Sequence, residues 1–343
     1  MKKIKVGFAD RKIEFIDRDV ALKQIENFAE RGTRFPIVIY GPEGCGKTAL
    51  FRQAKAVLEE YGYSVVYVNP SGESIEERFS ISEELRGLAE ELGAYLLKDI
   101  SSLIEKAVEI LYIAIRRGIR RRIAILADDV FQVIGLDKAE ILIKSFLNMI
   151  EWPSIDYEKI VVLVSSSEGV SRERIGRHTW ADIHIMWNMS REGFKQLYEV
   201  LSEPKPSFED VWRITGGNPR ILEKLYRADW DIDFVISRMI KEKDIHLWIY
   251  SLNSESRDIL MDIVDDPDTI LYKLYNEKVK KLLKELIEKN LIVSIWDREP
   301  RLWIDTPPPE KDLELGIGKY FAWQTPLHRE AIRRDLEMYI SKQ

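Results

Sequence analysis

The stretch Gly41-Pro-Glu-Gly-Cys-Gly-Lys-Thr48 decides the fold of this chain. It matches the pattern G-x-x-x-x-G-K-[ST], and it lies directly after the apolar run of residues 36–40 and before the helical pattern of residues 49–60. Its glycines allow the backbone to curl so that successive N–H groups point at one phosphate, with the positive N-terminal end of the following helix beneath it. Strand, loop and helix together predict a phosphate-binding P-loop.

A nucleotide with magnesium is the ligand that this loop predicts. Lys47 should bridge the β- and γ-phosphates, and the Thr48 hydroxyl should coordinate Mg²⁺. We interpret Cys45 as a small residue of the loop. The residues expected to contact ATP or ADP here are Gly41, Pro42, Glu43, Gly44, Cys45, Gly46, Lys47, Thr48 and Ala49.

A pair of acids follows a second apolar run. Residues 123–127 are typical of a buried strand, and Asp128 and Asp129 come directly after it. This strand end should bring Asp128 next to the P-loop, where it can hold magnesium through water, while Asp129 can orient or deprotonate the attacking water. Acidic pairs at strand ends are usually solvated, so this interpretation depends on the P-loop. Ser165 ends another apolar run and is expected to sense the γ-phosphate, with a simple polar strand exit as the alternative.

Apolar runs alternate with helical patterns over the first 190 residues, which is typical of an α/β fold with helices packed on a mostly parallel sheet. Continuous apolar runs are expected for strands covered on both faces. Residues 82–117 predict a long helix, and the basic cluster at residues 120–122, which begins with Arg120, is interpreted as a solvated strand entrance. The five predicted strands are residues 36–40, 64–68, 123–127, 160–165 and 183–187.

The pattern becomes helical after Ser190, a predicted N-cap. We therefore expect a P-loop ATPase domain over residues 1–189, a helical domain over residues 190–252 and a winged-helix domain over residues 253–343. Thr325 as N-cap and Pro326 at the first position should start the final helix.

The winged-helix prediction is based on short helices that lead into candidate strands. These strands are residues 291–296, 301–304 and 320–323. Their tryptophans are expected in the core of the wing rather than on a base-stacking platform. They are Trp296, Trp303 and Trp323.

Composition limits the location and the partners. The 343 residues carry a formal net charge of −6, one cysteine and four scattered histidines. We therefore expect no internal disulfide, no metal other than nucleotide-bound magnesium, and no general attraction to nucleic acid. No apolar run approaches the length of a membrane span. A cytoplasmic protein without membrane contact is expected.

A local basic face lies near the C-terminus. Along residues 278–289, lysines at 280, 281 and 284 lie opposite an apolar face. Such lysines suit non-specific contact with DNA phosphates, whereas Glu285 and Glu288 dilute the patch and favour a solvated face on a protein-docking module. A DNA partner and a protein partner both stay open.

Further segments complete a pattern that resembles a known family. They are Phe15-Ile-Asp-Arg18-Asp19 with Leu22, Ile175-Gly176-Arg177, Thr215-Gly-Gly-Asn-Pro219-Arg220 and Trp323-Gln-Thr-Pro-Leu327. Together with the P-loop as Walker A and residues 123–129 as Walker B, they are similar to the archaeal ATPase family, a branch of the AAA+-related STAND ATPases. The resemblance covers nearly the whole chain.

This resemblance implies a five-stranded parallel sheet in the order 5-1-4-3-2, followed by a helical lid and a winged helix. In such relatives the segment around Arg18 lies over adenine and ribose, and a proline in the position of Pro219 comes near the adenine. Arg220 is a candidate for phosphate contact from the lid. The second Walker B acid of the family is usually glutamate, and because Asp129 is one methylene shorter we expect slow hydrolysis.

An arginine is expected at the γ-phosphate. Phosphoryl transfer gains from a positive charge placed there in the transition state, and a neighbouring subunit often supplies it. Arg177 is the first candidate, in cis or in trans, with Arg172 and Arg174 nearby; surface ion pairing is the alternative. Contact in trans requires a homo-oligomer, which we expect ATP to favour.

Taken together, these features predict an ATP-binding and ATP-hydrolysing switch whose nucleotide state moves the winged helix. One alternative is a DNA-binding initiator or remodelling ATPase, and another is a nucleotide-binding scaffold with negligible turnover. A GTPase is disfavoured because the guanine-reading N-K-x-D segment is absent from the sequence. A small-molecule kinase is disfavoured because the lid resembles that of STAND relatives.

Overall fold

The computed structural model describes residues 3–72, 74–97, 99–119, 121–153, 156–167, 169–295 and 297–341. Arg120, Trp296 and the side chain of Arg172 lie outside the described residues. The chain divides into two compact units. The first contains Met1–Val6, Ile13–Tyr40 and Lys47–Met186, and the second contains Gly7–Lys12, Gly41–Gly46 and Trp187–Gln343.

The strands and helices are numbered in chain order. The strands are β1 (Lys5–Phe8), β2 (Arg11–Glu14), β3 (Ile37–Tyr40), β4 (Ser64–Val68), β5 (Phe79–Ile81), β6 (Arg122–Ala127), β7 (Lys159–Ser166), β8 (Asp182–Met186), β9 (Ile292–Ser294), β10 (Trp303–Ile304) and β11 (Phe321–Trp323). The helices are α1 (Asp19–Arg31), α2 (Lys47–Glu60), α3 (Ile75–Arg78), α4 (Arg86–Glu91), α5 (Ile100–Arg116), α6 (Phe131–Ile134), α7 (Leu136–Glu151), α8 (Gly169–Gly176), α9 (Arg191–Glu199), α10 (Phe208–Thr215), α11 (Pro219–Arg227), α12 (Ile232–Glu242), α13 (Ile245–Ser251), α14 (Ser254–Asp265), α15 (Glu277–Glu288) and α16 (Pro326–Ile340). Within the described residues, no helix has the length and apolar character needed to cross a membrane.

The main sheet is built on the apolar runs of the sequence. The predicted strands are observed as β3, β4, β6, β7 and β8, and they lie in the spatial order β8-β3-β7-β6-β4. Neighbouring strands among them run parallel. In chain order this is 5-1-4-3-2, so the predicted order is confirmed. All residues of β3 and β4 are buried, as expected for strands covered on both faces.

The prediction of a five-stranded sheet is wrong. Within the described ranges the sheet has seven strands and is mostly parallel. β5 pairs antiparallel with β4, so that Phe79 lies opposite Val68 and Ile81 opposite Val66. The seventh strand is β10. Strands of two or three residues are too short to show a hydrophobic period, which is why the sequence did not predict them.

The helix predicted over residues 82–117 is interrupted. α4 ends at Glu91, and Gly93 has a positive φ of 66°. Asp99 then caps α5 by accepting a hydrogen bond from the Ser102 N–H at 2.8 Å. A left-handed glycine ends a helix and an N-cap aspartate starts the next one, so the apolar pattern runs through two separate helices.

The core of the first unit joins its sheet to the helices α5 and α7. Side chains of the central strands, such as Ile125 and Val162, belong to one buried cluster with Leu103 of α5 and Phe146 of α7. α1 and α2 pack on each other, and they also contact β7 and β4 respectively. Because the central strands run parallel, their carboxyl ends lie at one edge of the sheet. Polar residues of such folds are brought together at this edge.

The second unit is mainly helical, with a small β-ribbon. β9 pairs antiparallel with β11, so that Ile292 lies opposite Trp323 and Ser294 opposite Phe321. Within the described residues this ribbon has two strands. The third predicted ribbon strand, residues 301–304, is wrong in that role, because only Trp303–Ile304 is a strand and it belongs to the seven-stranded sheet. Trp303 and Trp323 are fully buried.

Two predicted helix starts in the second unit are confirmed. The Ser190 side chain accepts a hydrogen bond from the Gly193 N–H at 3.0 Å and caps α9. Thr325 accepts from the His328 N–H at 3.3 Å and caps α16, whose first residue is Pro326. Local capping chemistry thus sets the start of both helices.

Candidate functional site

The P-loop follows β3 in the chain and leads into α2. Gly44 and Gly46 have positive φ values of 76° and 105°, a region that residues with a side chain rarely adopt. The Cys45 N–H donates to the carbonyl of Pro42 at 3.3 Å, and α2 begins at Lys47. The backbone therefore curls immediately before a helix N-terminus, which is the local geometry that attracts anions.

Asp128 is a fully buried acid at the end of β6. Its Oδ1 accepts a hydrogen bond from the Ser165 hydroxyl. Its Oδ2 accepts from the Tyr67 hydroxyl at 2.8 Å and from Asn69 Nδ2 at 3.2 Å. Donors on both carboxylate oxygens fix the orientation of this side chain at the strand end.

Tyr67 is held as a donor by its surroundings. Burial raises the pKa of Tyr67 far above its usual value, and the neighbouring Asp128 charge raises it further. The phenol therefore stays protonated and donates its O–H to Asp128. Tyr67 and Asn69 are not among the site residues expected from the sequence, although both lie at the carboxyl end of β4, the parallel neighbour of β6. That strand-end position is the signal that identifies them.

Asp129 has a positive φ of 55°. Its N–H donates to the Ser165 hydroxyl at 2.9 Å, and its Oδ1 accepts from the Ser167 N–H at 3.2 Å. Ser165 thus donates to Asp128 and accepts from the Asp129 backbone. The hydroxyl that was expected to sense the γ-phosphate orients both acids in this structure, and phosphate sensing by Ser165 stays a prediction.

The backbone of Glu43, in the part of the P-loop that belongs to the second unit, is held by side-chain amides from distant segments of the same unit. The Glu43 N–H donates to Gln324 Oε1 at 2.9 Å, and Asn218 Nδ2 donates to the Glu43 carbonyl at 2.9 Å. Asn218 Nδ2 also donates to Asn188 Oδ1 at 2.8 Å, and Asn188 Nδ2 donates to the Gln324 carbonyl at 2.9 Å. We call Asn188, Asn218 and Gln324 the amide cluster. No motif of the sequence indicates a role for this cluster.

Charged side chains of the second unit also meet this part of the loop. Lys243 Nζ lies 3.5 Å from a carboxylate oxygen of Glu43, and burial lowers the pKa of Lys243. The Arg220 N–H points at the Gly44 carbonyl at 3.4 Å, while the Arg220 guanidinium pairs with Glu223 at 3.3 Å. Phosphate contact by Arg220 stays a prediction.

The sequence of residues 15–225 matches the family described as "ATPase domain predominantly from Archaea". The match covers more than half of the chain. This protein belongs to that archaeal ATPase family. The resemblance to the archaeal ATPase family is therefore confirmed, and residues 15–225 carry the ATPase domain of that family. Among curated proteins, none matches significantly.

Three solved structures resemble this chain to different degrees. The Walker-type ATPase of Pyrococcus abyssi is 14% identical over 93% of this chain and 96% of that chain, with a TM-score of 0.53. The Aeropyrum pernix ORC1 protein, solved in complex with DNA, is 16% identical over 96% and 94%, with a TM-score of 0.40. AMPPCP-bound DnaA from Aquifex aeolicus is 18% identical over 72% and 74%, with a TM-score of 0.37. At these identities the likeness to the Pyrococcus structure shows a shared fold alone.

Two more residues named from the family pattern lie at helix starts. Arg18 is buried, has a positive φ of 67° and directly precedes α1. Pro219 is the first residue of α11, which Asn218 caps by accepting from the Ile221 N–H at 3.1 Å. Their expected contacts with adenine and ribose stay predictions.

The candidate arginines of the first unit make ion pairs at the surface. Arg177 is 56% exposed and lies 3.0 Å from Glu140 of α7. Arg174 pairs with Asp137 and lies 3.6 Å from Glu140. Exposed pairs of this kind contribute little to stability, so Arg177 can exchange Glu140 for another anion at small cost. Its role at the γ-phosphate stays a prediction.

The basic face of α15 is matched by acids. Each of its lysines lies within 4 Å of a glutamate, in the pairs Lys278–Glu255, Lys280–Glu277, Lys281–Glu285 and Lys284–Glu288. Glutamates at this range weaken the field that would attract phosphates. DNA contact and protein docking at α15 both stay predictions.

Proposed function

We propose that the protein binds ATP with Mg²⁺ at residues 41–49 and hydrolyses it. The observation that carries this proposal is the Asp128 carboxylate, which is fully buried and bonded on both oxygens at the carboxyl edge of the sheet. Burying a carboxylate is expensive unless the charge is compensated. A magnesium ion and its nucleotide provide a reason to keep an acid at this strand end.

Each residue of the site has a chemical role that fits its type. The N–H groups of the curled loop would bind phosphate oxygens, and Lys47 would bridge the β- and γ-phosphates. Thr48 and, through water, Asp128 would hold Mg²⁺, which accepts few protein ligands when phosphate oxygens complete its shell. Magnesium supplies charge neutralisation on the phosphates when bound. Asp129 would orient the attacking water.

Slow turnover is part of the proposal. Asp129 has a shorter side chain than the glutamate usual in this position, and its Oδ1 already accepts a hydrogen bond from the Ser167 N–H. Both properties reduce its capacity to hold a water molecule in line with the γ-phosphate. A nucleotide-binding scaffold with negligible turnover is therefore the second candidate function.

Nucleotide state would be read by the C-terminal region. We assign residues 1–189 to the ATPase domain, 190–252 to the lid and 253–343 to a winged helix, with β9 and β11 as the wing. The bonds between Glu43 and the amide cluster support this coupling, because a change in the P-loop would reach Gln324 directly. A protein partner docked on the winged helix would receive the signal.

Replacing the P-loop lysine tests the proposal. Lys47→Ala removes a charge-assisted phosphate contact, so ATP affinity should fall by about 10- to 100-fold and phosphate release should be lost. Lys55→Ala, in the same helix, removes only an ion pair with Glu59 and is the matched control. Binding is measured by calorimetry and turnover by phosphate release.

The outcomes separate the candidate functions. ATP binding by Lys47→Ala at wild-type affinity would contradict the P-loop assignment. Wild-type binding without phosphate release over hours would favour the scaffold. Phosphate release that rises with duplex DNA, and falls again with salt, would favour the DNA-acting ATPase instead.

A further inference from the structure

The peptide groups of Glu43 are held from both sides by residues far away in the chain. Gln324, which accepts from the Glu43 N–H, is 281 residues away, and Asn218, which donates to the Glu43 carbonyl, is 175 residues away. Long-range bonds of this kind fix a loop because the partners are anchored independently of it. The backbone at position 43 is therefore clamped by distant segments of the second unit, to which Glu43 itself belongs.

We call the hydrogen bonds of Gln324 and Asn218 to the Glu43 backbone the clamp. The side chains of the amide cluster are buried, and their polar groups form hydrogen bonds. Asn218, Gln324 and Asn188 are 0%, 2% and 4% exposed. Asn218 Nδ2 donates to Glu43 and to Asn188, and its Oδ1 accepts from the Ile221 N–H at the start of α11. A buried amide is strongly disfavoured when its partners are lost, so these bonds tolerate little rearrangement.

The clamp sets the direction of the loop just before its phosphate-binding part. Gly44 follows with a φ of 76°, and Arg220 lies against it so closely that a Cβ at position 44 would be 2.2 Å from the Arg220 Cβ. Because the N–H and carbonyl of Glu43 are already bonded within the protein, phosphate binding falls to the N–H groups that follow. Their orientation depends on where peptide 43 is held.

We infer that Gln324 and Asn218 are positioning residues for nucleotide binding, which pre-organise the P-loop by clamping the backbone of Glu43. This inference rests on the proposed function. A loop already in its binding conformation loses less entropy when the ligand arrives, which raises affinity. Neither residue needs to touch the nucleotide for this effect.

The clamp also makes the C-terminal segment part of the binding equilibrium. Gln324 lies between β11 and the cap of α16, and its own N–H donates to the Leu291 carbonyl at 2.9 Å. Displacing this segment would release the Glu43 N–H. By reciprocity, nucleotide binding would stabilise the segment by the same free energy with which the segment favours nucleotide.

The test uses Gln324→Met in the full chain. Methionine keeps the length of the side chain and removes the acceptor for the Glu43 N–H. We expect ATP affinity to fall about tenfold, within the usual range of coupling. We also expect amide hydrogen exchange at residues 43–46 to become faster in the absence of nucleotide. The exchange measurement does not depend on ATP binding.

A second variant and a control guard against a simple loss of folding. Asn218→Asp keeps the acceptor that caps α11 and removes both donated bonds, so it should show the same two effects. Asn276→Ala removes the cap of α15, where Asn276 accepts from the Lys278 N–H at 2.9 Å. This control destabilises the same unit away from Glu43 and should leave ATP affinity unchanged.

The result distinguishes failure of the clamp from failure of the proposed function. If both clamp variants bind ATP like the wild type while Lys47→Ala does not, the inference is overturned and the ATPase proposal stands. If the wild type binds no ATP, both are overturned. Weaker ATP binding with faster exchange in the clamp variants alone, and not in Asn276→Ala, supports the inference.

Discussion

Gly44 shows how one position serves both the loop and its surroundings. Its φ of 76° is reached easily only by glycine, and the space where a Cβ would stand is occupied by Arg220 of α11. Two independent constraints therefore act on this residue. The P-loop pattern accounts for the positive φ, and the packing of Arg220 accounts for the lack of space for a Cβ.

Gly44→Ala should consequently lower the free energy of unfolding by about 2–3 kcal/mol, because left-handed backbone strain adds to the clash with Arg220. Urea denaturation measures this change. Gly87→Ala is the matched control, since Gly87 lies in α4 with open space around it, and alanine there should be neutral or stabilising by about 1 kcal/mol at most. Equal stability of the two variants would contradict the steric argument.

The residues of the candidate site were predictable to different degrees. Lys47 and Asp128 belong to short patterns whose spacing follows from strand, loop and helix geometry, so the sequence alone identifies them. Tyr67 was recognisable only once β4 was known to neighbour β6. Gln324 contacts Glu43 only through tertiary packing, because the two residues are 281 positions apart. No local sequence pattern indicates such a contact.

At the scale of elements, the strands with continuous apolar runs were predicted correctly and in the correct order. β5 and β10 were not predicted, because their two or three residues become strands by pairing with an existing sheet edge. The predicted helix over residues 82–117 missed the interruption at Gly93, since the apolar pattern continues on both sides of it. Tertiary pairing and local backbone conformation decide these cases.

Asp268 holds the approach to β11 in place. Its carboxylate is buried and accepts hydrogen bonds from the N–H groups of Lys319, Tyr320 and Phe321. Gly318 precedes them, and a Cβ at that position would lie 2.6 Å from the Asp268 carboxylate. One side chain thereby replaces strand pairing for three successive amides.

We predict that Asp268→Ala lowers the free energy of unfolding by about 3 kcal/mol, because the buried Phe321 N–H and the partly buried N–H groups of Lys319 and Tyr320 lose their acceptor. Chemical denaturation monitored by tryptophan fluorescence measures the loss. Asp262→Ala is a suitable control, since Asp262 forms a surface pair with Lys273 and its removal should change stability by less than about 1 kcal/mol. A small effect of Asp268→Ala would show that water can replace the carboxylate.

At the scale of the whole molecule, a buried histidine links stability to pH. Burial holds the pKa of His328 well below its usual value, and the positive charges of Lys243 and Lys224 lower it further. Above about pH 6.5 the imidazole is neutral in the folded and unfolded states. Below that pH the unfolded chain takes up a proton that the folded chain does not, so the free energy of unfolding falls.

The expected slope from His328 is about 1.4 kcal/mol per pH unit below pH 6.5, down to its pKa in the folded state. His328→Gln should remove this contribution and flatten the profile between pH 6 and pH 5. Urea denaturation across pH 5–8 measures it. The profiles of wild type and variant should be parallel above pH 7.5, which serves as the internal control. Parallel profiles at pH 5–6 would contradict the linkage.

Assembly is the other prediction at this scale. We expect ATP to increase the mass of the protein measured by light scattering. If Arg177 acts on the γ-phosphate, Arg177→Ala should lower the rate of phosphate release by about 10³-fold at unchanged ATP affinity. Arg121→Ala, which removes an exposed pair with Asp156, is the control. A chain that stays monomeric at high concentration with ATP would rule out action of Arg177 in trans.

The single sulfhydryl of the sequence lies inside the P-loop. Cys45 is 1% exposed, so a bulky alkylating reagent reaches its sulfur only when this loop opens. The rate at which Cys45 is alkylated in the wild-type protein therefore measures how often the loop opens. A nucleotide that closes the loop should lower this alkylation rate, and loss of the Gln324 acceptor should raise it. The Cys45 thiol thus reports on P-loop opening without any added label site.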